Sequence, residues 1–89
     1  MYHVERAGTA TAALTDFWLE SESPERIRIN DAVLRIDTLL AASPQEQGES
    51  RPGGRRILLA PPLGVIYKVY EPDRRVRVLR VLRFRSHAD

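Results

Sequence analysis

Residues 55–84 read RRILLAPPLGVIYKVYEPDRRVRVLRVLRF, and this stretch decides the fold. Arg55 to Ala60 is a β-type run that Pro61-Pro62 interrupts, Gly64 to Tyr70 is a second, and Glu71-Pro72-Asp73-Arg74 turns the chain into a third, Arg75 to Phe84. Runs joined by such short turns predict an antiparallel meander. Along the third run alternate residues sort into two faces. Val76, Val78, Arg80, Leu82 and Phe84 share one, suited to packing on helices, with Arg80 an irregularity or the mark of a bulge. Arg75, Arg77, Leu79, Val81, Arg83 and Arg85 share the other. That second face is apolar in its middle and cationic at both ends, as expected of a surface open in the free protein and covered by a partner.

Upstream of the meander the period changes. Ala10, Ala13, Leu14, Phe17 and Trp18 recur at helical spacing and predict a helix over 10–21, with Thr9 as its cap and Phe17 and Trp18 in the core. Ser23-Pro24-Glu25 is a start signal for a second helix, whose stripe of Ile29, Ala32, Val33, Ile36, Leu39 and Leu40 runs through residue 41. Residues 2–6 alternate weakly and read as a short first strand, and Ser43 to Gly54 reads as a long surface loop. The order is β-α-α-β-β-β. It predicts one α+β domain over 1–89, a two-helix hairpin packed on a twisted antiparallel sheet.

Charge is divided unevenly along the chain. Residues 1–50 carry four Arg against nine Asp/Glu, whereas residues 51–89 carry ten Lys/Arg against three, so the net +2 conceals a basic half. Concentrating that much positive charge on a small domain costs self-repulsion, which an acidic partner or a polyanion relieves. Lys68 is the sole lysine among the 14 cations, and arginine favours planar, bidentate contact with carboxylate or phosphate.

Composition excludes several chemistries. With no cysteine, the chain has no disulfide, thiolate metal site or thiol nucleophile. His3 and His87 are its only histidines, and no carboxylates stand beside them at ligand spacing, so no metal or other cofactor is expected. The glycines of the 43–54 loop lack the Gly-Lys-Ser/Thr ending of a phosphate-binding loop. Ser86, His87 and Asp89 match a hydrolase triad in composition only. The opening MYHVERAGTATAAL has no basic start followed by an apolar run, and no stretch approaches the roughly 18 apolar residues of a membrane span. A cytoplasmic protein with no membrane partner is expected.

The element order, together with Val65, Ile66, Tyr67 and Val69 and then Val76, Val78, Leu79, Val81, Arg83 and Phe84, resembles the RelE/ParE superfamily of type II toxin–antitoxin toxins. The resemblance covers almost the whole chain, and Trp18 on the first helix also fits it. It implies a toxin neutralised by a cognate antitoxin, with Arg75, Arg77, Leu79 and Val81 as the antitoxin-binding residues. The superfamily includes ribosome-dependent mRNA endonucleases, DNA gyrase inhibitors and members that have lost toxicity. For the endonuclease, the expectation taken first, RNA cleavage without metal needs positive groups converging on one phosphate and a group that moves a proton. Arg55, Arg56, Arg83 and Arg85 are the candidates for the first role, and His87, titrating near neutrality, for the second. Nuclease members usually carry an arginine at the position matching Gly64. Its absence favours the alternatives, a gyrase inhibitor of the ParE kind or an inactive antitoxin-binding module.

Overall fold

The structure, a computed structural model, describes residues 1–84. A strand β1 (His3–Arg6) leads into helices α1 (Gly8–Leu19) and α2 (Ser23–Ala42), followed by strands β2 (Glu49–Arg51), β3 (Arg55–Ala60), β4 (Leu63–Tyr70) and β5 (Arg75–Arg83). The five strands form one sheet in the order β1-β5-β4-β3-β2. The expected α+β architecture holds, with the helix hairpin on one face of the sheet.

Two details differ from expectation. β1 runs parallel to β5, so the sheet is mixed rather than purely antiparallel. The hairpin carries the chain across the sheet from one edge to the other, and a parallel pairing requires such a long crossover. The loop over 43–54 also contains structure, since Glu49–Arg51 pairs with Arg55–Ile57 through a tight turn at Pro52–Gly54. Gly53 and Gly54 make that turn at φ 80° and 74°, where a side chain is disfavoured. β2 is exposed on both faces, so it shows no apolar alternation and is held by its ladder alone.

The core lies between the hairpin and the sheet. Ala10 of α1 and Ile29, Ala32, Ile36 and Leu40 of α2 pack on Leu58, Ala60, Leu63, Val65, Tyr67, Val76, Val78 and Val81. Each large aliphatic side chain buried here contributes about 1.5–3 kcal/mol before entropy is subtracted. Phe17 packs against this core as expected, but Trp18 is 37% exposed and carries the Arg26 guanidinium 4.0 Å from its ring centroid. Thr9 does not cap α1; its hydroxyl donates to the Leu79 carbonyl of β5.

A latch closes the other end of the sheet. Glu71, in the β4–β5 turn, accepts hydrogen bonds from Gln45 at 2.7 Å and from the Tyr2 hydroxyl at 2.8 Å. These bonds, Gln45 first and Tyr2 second, hold the Glu71 carboxyl below its ordinary pKa. The hydrogen bond to Glu71 raises the Tyr2 phenol in return.

Candidate partner-binding face

β5 changes phase in its middle. Tyr67 pairs with Val78 while Ile66 pairs with Arg80, so Leu79 is an extra residue, a β-bulge. Beyond it the alternation is inverted. Val81 is in the core and Arg83 points to the helices, whereas Arg80, Leu82 and Phe84 fall on the face away from them. The two faces expected for β5 are therefore correct up to Val78 and exchanged after Leu79.

With this phase fixed, the strand register arranges the open face in transverse rows. Arg51 of β2 stands opposite Arg55 of β3, Arg55 opposite Lys68 of β4, and Lys68 opposite Arg77 of β5, which neighbours Glu5 of β1. All five alternate with inward residues such as Arg56, Tyr67, Val76 and Val78, so they share the open side. The next row reads Glu49, Ile57, Ile66 and Arg80, and the one after it Leu59, Gly64 and Leu82. A band of cations thus borders an aliphatic patch.

Facing like charges destabilise a sheet, so this row weakens the fold. Its two ends are partly neutralised. Arg77 pairs with Glu5 at 2.6 Å and Arg51 with Glu49 at 3.2 Å. Arg55 and Lys68, in the middle, have no ion pair among the described residues. Arg55 is exposed and Lys68 half-buried beside it, and both present their charge on the open face to an anionic partner.

The residues expected to surround a phosphate are not brought together. Arg55 is on the open face, but Arg56 points inward, donating from Nε to the Gln47 carbonyl at 2.9 Å and from Nη2 to that of Gly48. The buried Tyr67 hydroxyl donates to the Pro44 and Gln47 carbonyls, both at 2.8 Å, so Arg56 and Tyr67 together hold the chain that precedes β2. Burial raises the Tyr67 phenol above its ordinary pKa, opposed by the neighbouring Arg56.

Arg83 is at the far end of the sheet from Arg55, because Leu63 pairs with Arg83 and Lys68 with Arg55, about 17 Å apart along β4. It also lies beneath the hairpin, its side chain only 17% exposed, with Nη2 donating to Ser21 Oγ at 3.0 Å and the Glu20 and Glu25 carboxylates at 3.8 and 3.9 Å. Arg85 and His87 lie outside the described residues. Of the residues expected to meet an antitoxin, Arg75 and Arg77 are on the open face, Leu79 is at the bulge, and Val81 is buried in the core.

The face also has members that alternation alone did not single out: Arg51, Lys68, Ile57, Ile66, Leu59 and Leu82. Register counted outward from the two turns would have found four of them. Centring one hairpin on Pro61-Pro62 and the other on the Glu71–Arg74 turn places Arg55, Lys68 and Arg77 abreast, Ile57 beside Ile66, and Leu59 beside Gly64.

Comparison with solved structures follows the same architecture. The chain is similar to one in the RelBE2 toxin–antitoxin complex from Mycobacterium tuberculosis (23% identity, 92% of this chain and 96% of the other, TM-score 0.71). It is also similar to one in the chromosomal ParDE system of P. aeruginosa (22%, 96% and 98%, 0.72) and to one in the intact E. coli RelBE complex (14%, 97% and 100%, 0.60). This chain has the RelE/ParE fold. No protein-family model and no curated protein matches its sequence.

Within this RelE/ParE fold, Gly64 has a specific environment. A Cβ built there would meet Phe84 Cε2 at 2.7 Å and Leu59 Cδ2 at 3.2 Å. The Phe84 ring, 41% exposed, therefore covers the place where the superfamily resemblance expects an arginine, and it extends the aliphatic patch.

Proposed function

We propose that this chain is the toxin of a type II toxin–antitoxin pair, that a cognate antitoxin neutralises it by covering the open sheet face, and that it arrests growth by binding its target. The observation that carries this reading is the Arg51–Arg55–Lys68–Arg77 row beside Ile57 and Ile66, a surface that is costly to the free protein and complementary to an acidic, amphipathic partner. The RelE/ParE fold supports the toxin class.

Between the two activities considered, the geometry favours a non-enzymatic inhibitor of the gyrase-binding kind. Arg56 and Arg83 are engaged elsewhere and Gly64 is covered by Phe84, so Arg55 has no second arginine from the expected set beside it among the described residues. The mRNA endonuclease is the second reading. It retains one favourable observation, the adjacent Arg55 and Lys68, which together can hold a phosphate. Either activity would be exercised in the cytoplasm.

Inducible expression, with the DNA-damage response and newly formed mRNA 5′ ends followed together, tests the proposal. Growth arrest with a damage response and no new 5′ ends is expected, relieved by co-expression of the cognate antitoxin. New 5′ ends would replace the binder by the endonuclease, and unimpaired growth would remove the toxin reading.

A further inference from the structure

Helix α2 buries one side on the sheet, and its opposite side is not the uniformly polar surface that a solvated helix presents. Ile29, Ala32, Ile36 and Leu40 face the core. Half a turn round lie Ile27, Asp31, Leu34, Thr38 and Ala42, all exposed and at the three and four spacing of a helical stripe. Ile27 is 61% and Leu34 68% exposed, two turns apart on one line. One such side chain is ordinary on a surface, but two on one line form a seam. The polar members of the stripe are compatible with being covered. The Thr38 hydroxyl donates to the Leu34 carbonyl at 2.8 Å, so it loses no bond when water is removed. Elsewhere on α2, Glu25 pairs with Arg28, Asp37 with Arg6, and Arg26 lies on the Trp18 ring. Asp31 and Arg35, one turn apart beside Leu34, have no ion pair among the described residues.

We propose that this side of α2 binds a second copy of the chain, the two α2 helices packing antiparallel across a twofold axis beside residue 33. Charge selects the direction. With the helices parallel, symmetry would set Asp31 beside Asp31 of the second copy and Arg35 beside Arg35. With the helices antiparallel, each Asp31 faces Arg35 of the second copy, so four unpaired charges become two ion pairs. The same register brings Leu34 against Leu34 at the axis. It also sets Ile27 against Thr38 of the second copy, because the two positions lie almost equally far from the axis on opposite sides. The contact occupies about 18 Å of each helix, with the helix axes about 8–10 Å apart. A polyanion is poorly matched to this stripe, which offers one unpaired charge of each sign and no net attraction. An interface of one helix per copy falls below the roughly 1,200 Å² of a standard complex, so the dimer should be weak, with a midpoint on the order of tens of micromolar. α2 lies on the side of the sheet away from the open face, so the dimer presents two open faces back to back. The inference is independent of the toxin reading.

Sedimentation equilibrium of the full chain, from about 5 to about 500 μM, reads the association. The average mass should rise with concentration from one chain toward two. Leu34→Glu should hold it at one chain throughout and, since Leu34 is exposed, should melt as the wild type does. Arg80→Glu, exposed on the open face, should associate as the wild type does. Asp31→Arg and Arg35→Asp should each weaken association about tenfold, and the two changes together should restore it to within about threefold. Because the chain has no cysteine, Leu34→Cys supplies a single thiol, and air oxidation should convert it to a covalent dimer, whereas Thr11→Cys on the exposed side of α1 should stay monomeric. A mass of one chain at every concentration would overturn the proposal. Association that survives Leu34→Glu, or that Arg80→Glu abolishes, would place the contact elsewhere and overturn it too. If the double charge exchange failed to restore association, the antiparallel arrangement would be wrong. None of these outcomes bears on growth arrest, so the toxin reading stands or falls separately.

Discussion

The Phe84 ring rests on Gly64, close enough that a single methyl group on the glycine would overlap it, at 2.7 Å from Cε2. Phe84 is held there from its backbone, whose N–H donates to the Pro62 carbonyl at 2.8 Å. Because the ring is the free end of a half-exposed side chain, Gly64→Ala should swing it off the sheet at a cost of no more than about 1 kcal/mol. The Leu59 methyl resonances should then lose their ring-current shift. With Phe84→Ala already in place the same change should cost less, and an unchanged cost in that background would show that the two residues do not interact.

Arg83 joins the end of β5 to the link between the helices, through Ser21, Glu20 and Glu25. Its Nε is buried with no hydrogen-bond partner, so its fit there is imperfect. Removing the side chain leaves the Ser21 hydroxyl without its donor and Glu20 without its cation, while Glu25 keeps its pair with Arg28 at 3.0 Å. Arg83→Ala should therefore lose about 1–2 kcal/mol in urea unfolding, whereas Arg80→Ala, exposed on the other face, should lose almost nothing. Reduced toxicity of an Arg83 variant is interpretable only beside that measurement.

Tyr67→Phe removes the donor that the Pro44 and Gln47 carbonyls share. A loss of about 1–2 kcal/mol is expected, with faster amide exchange over residues 44–48. Since burial raises the phenol above its ordinary 10.0, the wild-type advantage is complete below that pH and is lost as pH rises through the folded-state value. The gap between the two proteins should narrow in alkaline titration. A gap that widens there would contradict the assignment.

Glu71 has the opposite sign. Its carboxyl is held below the ordinary 4.5, so its contribution is present above that pH and is lost as pH falls through the lowered folded-state value. Glu71→Gln should therefore be less stable than wild type near neutrality and approach it in acid. Urea midpoints at about pH 7 and about pH 3 measure the difference.

Lys68 stands between two arginines in the row. Replacing it by Ala should raise stability by a few tenths of a kcal/mol at low salt, and the gain should shrink as salt screens the row. Partner binding should weaken in the same variant. Lower stability of Lys68→Ala at low salt would show that the row does not strain the sheet.

Period and punctuation in the chain were sufficient for the element order. Helical spacing from Ala10 and Ile29, a start signal at Ser23-Pro24, and turns at Pro61-Pro62 and Glu71–Arg74 each act within a few residues of themselves. Such signals are local, and the residues carry them wherever the chain goes. They even implied Lys68 opposite Arg77, because a hairpin counts outward from its turn.

What only the folded molecule decided were the choices that depend on distant partners. The bulge at Leu79 exchanged the faces of β5, sending Val81 and Arg83 inward and Arg80 outward, because the pairing of Tyr67 with Val78 and of Ile66 with Arg80 leaves no partner for that residue. In 75–84 the alternation breaks where Val78 and Leu79 stand side by side and Arg80 falls on the apolar face, so the chain marks a bulge there, but which residue is left unpaired is set by the facing strand. Residues 2–6 read as a strand from their own alternation, but the parallel place of β1 beside β5 came from an unfilled ladder position at the sheet edge, as did the strand at Glu49–Arg51, whose residues do not favour β structure. Side-chain types are written in the chain, but which of them share a surface is set by register and crossover.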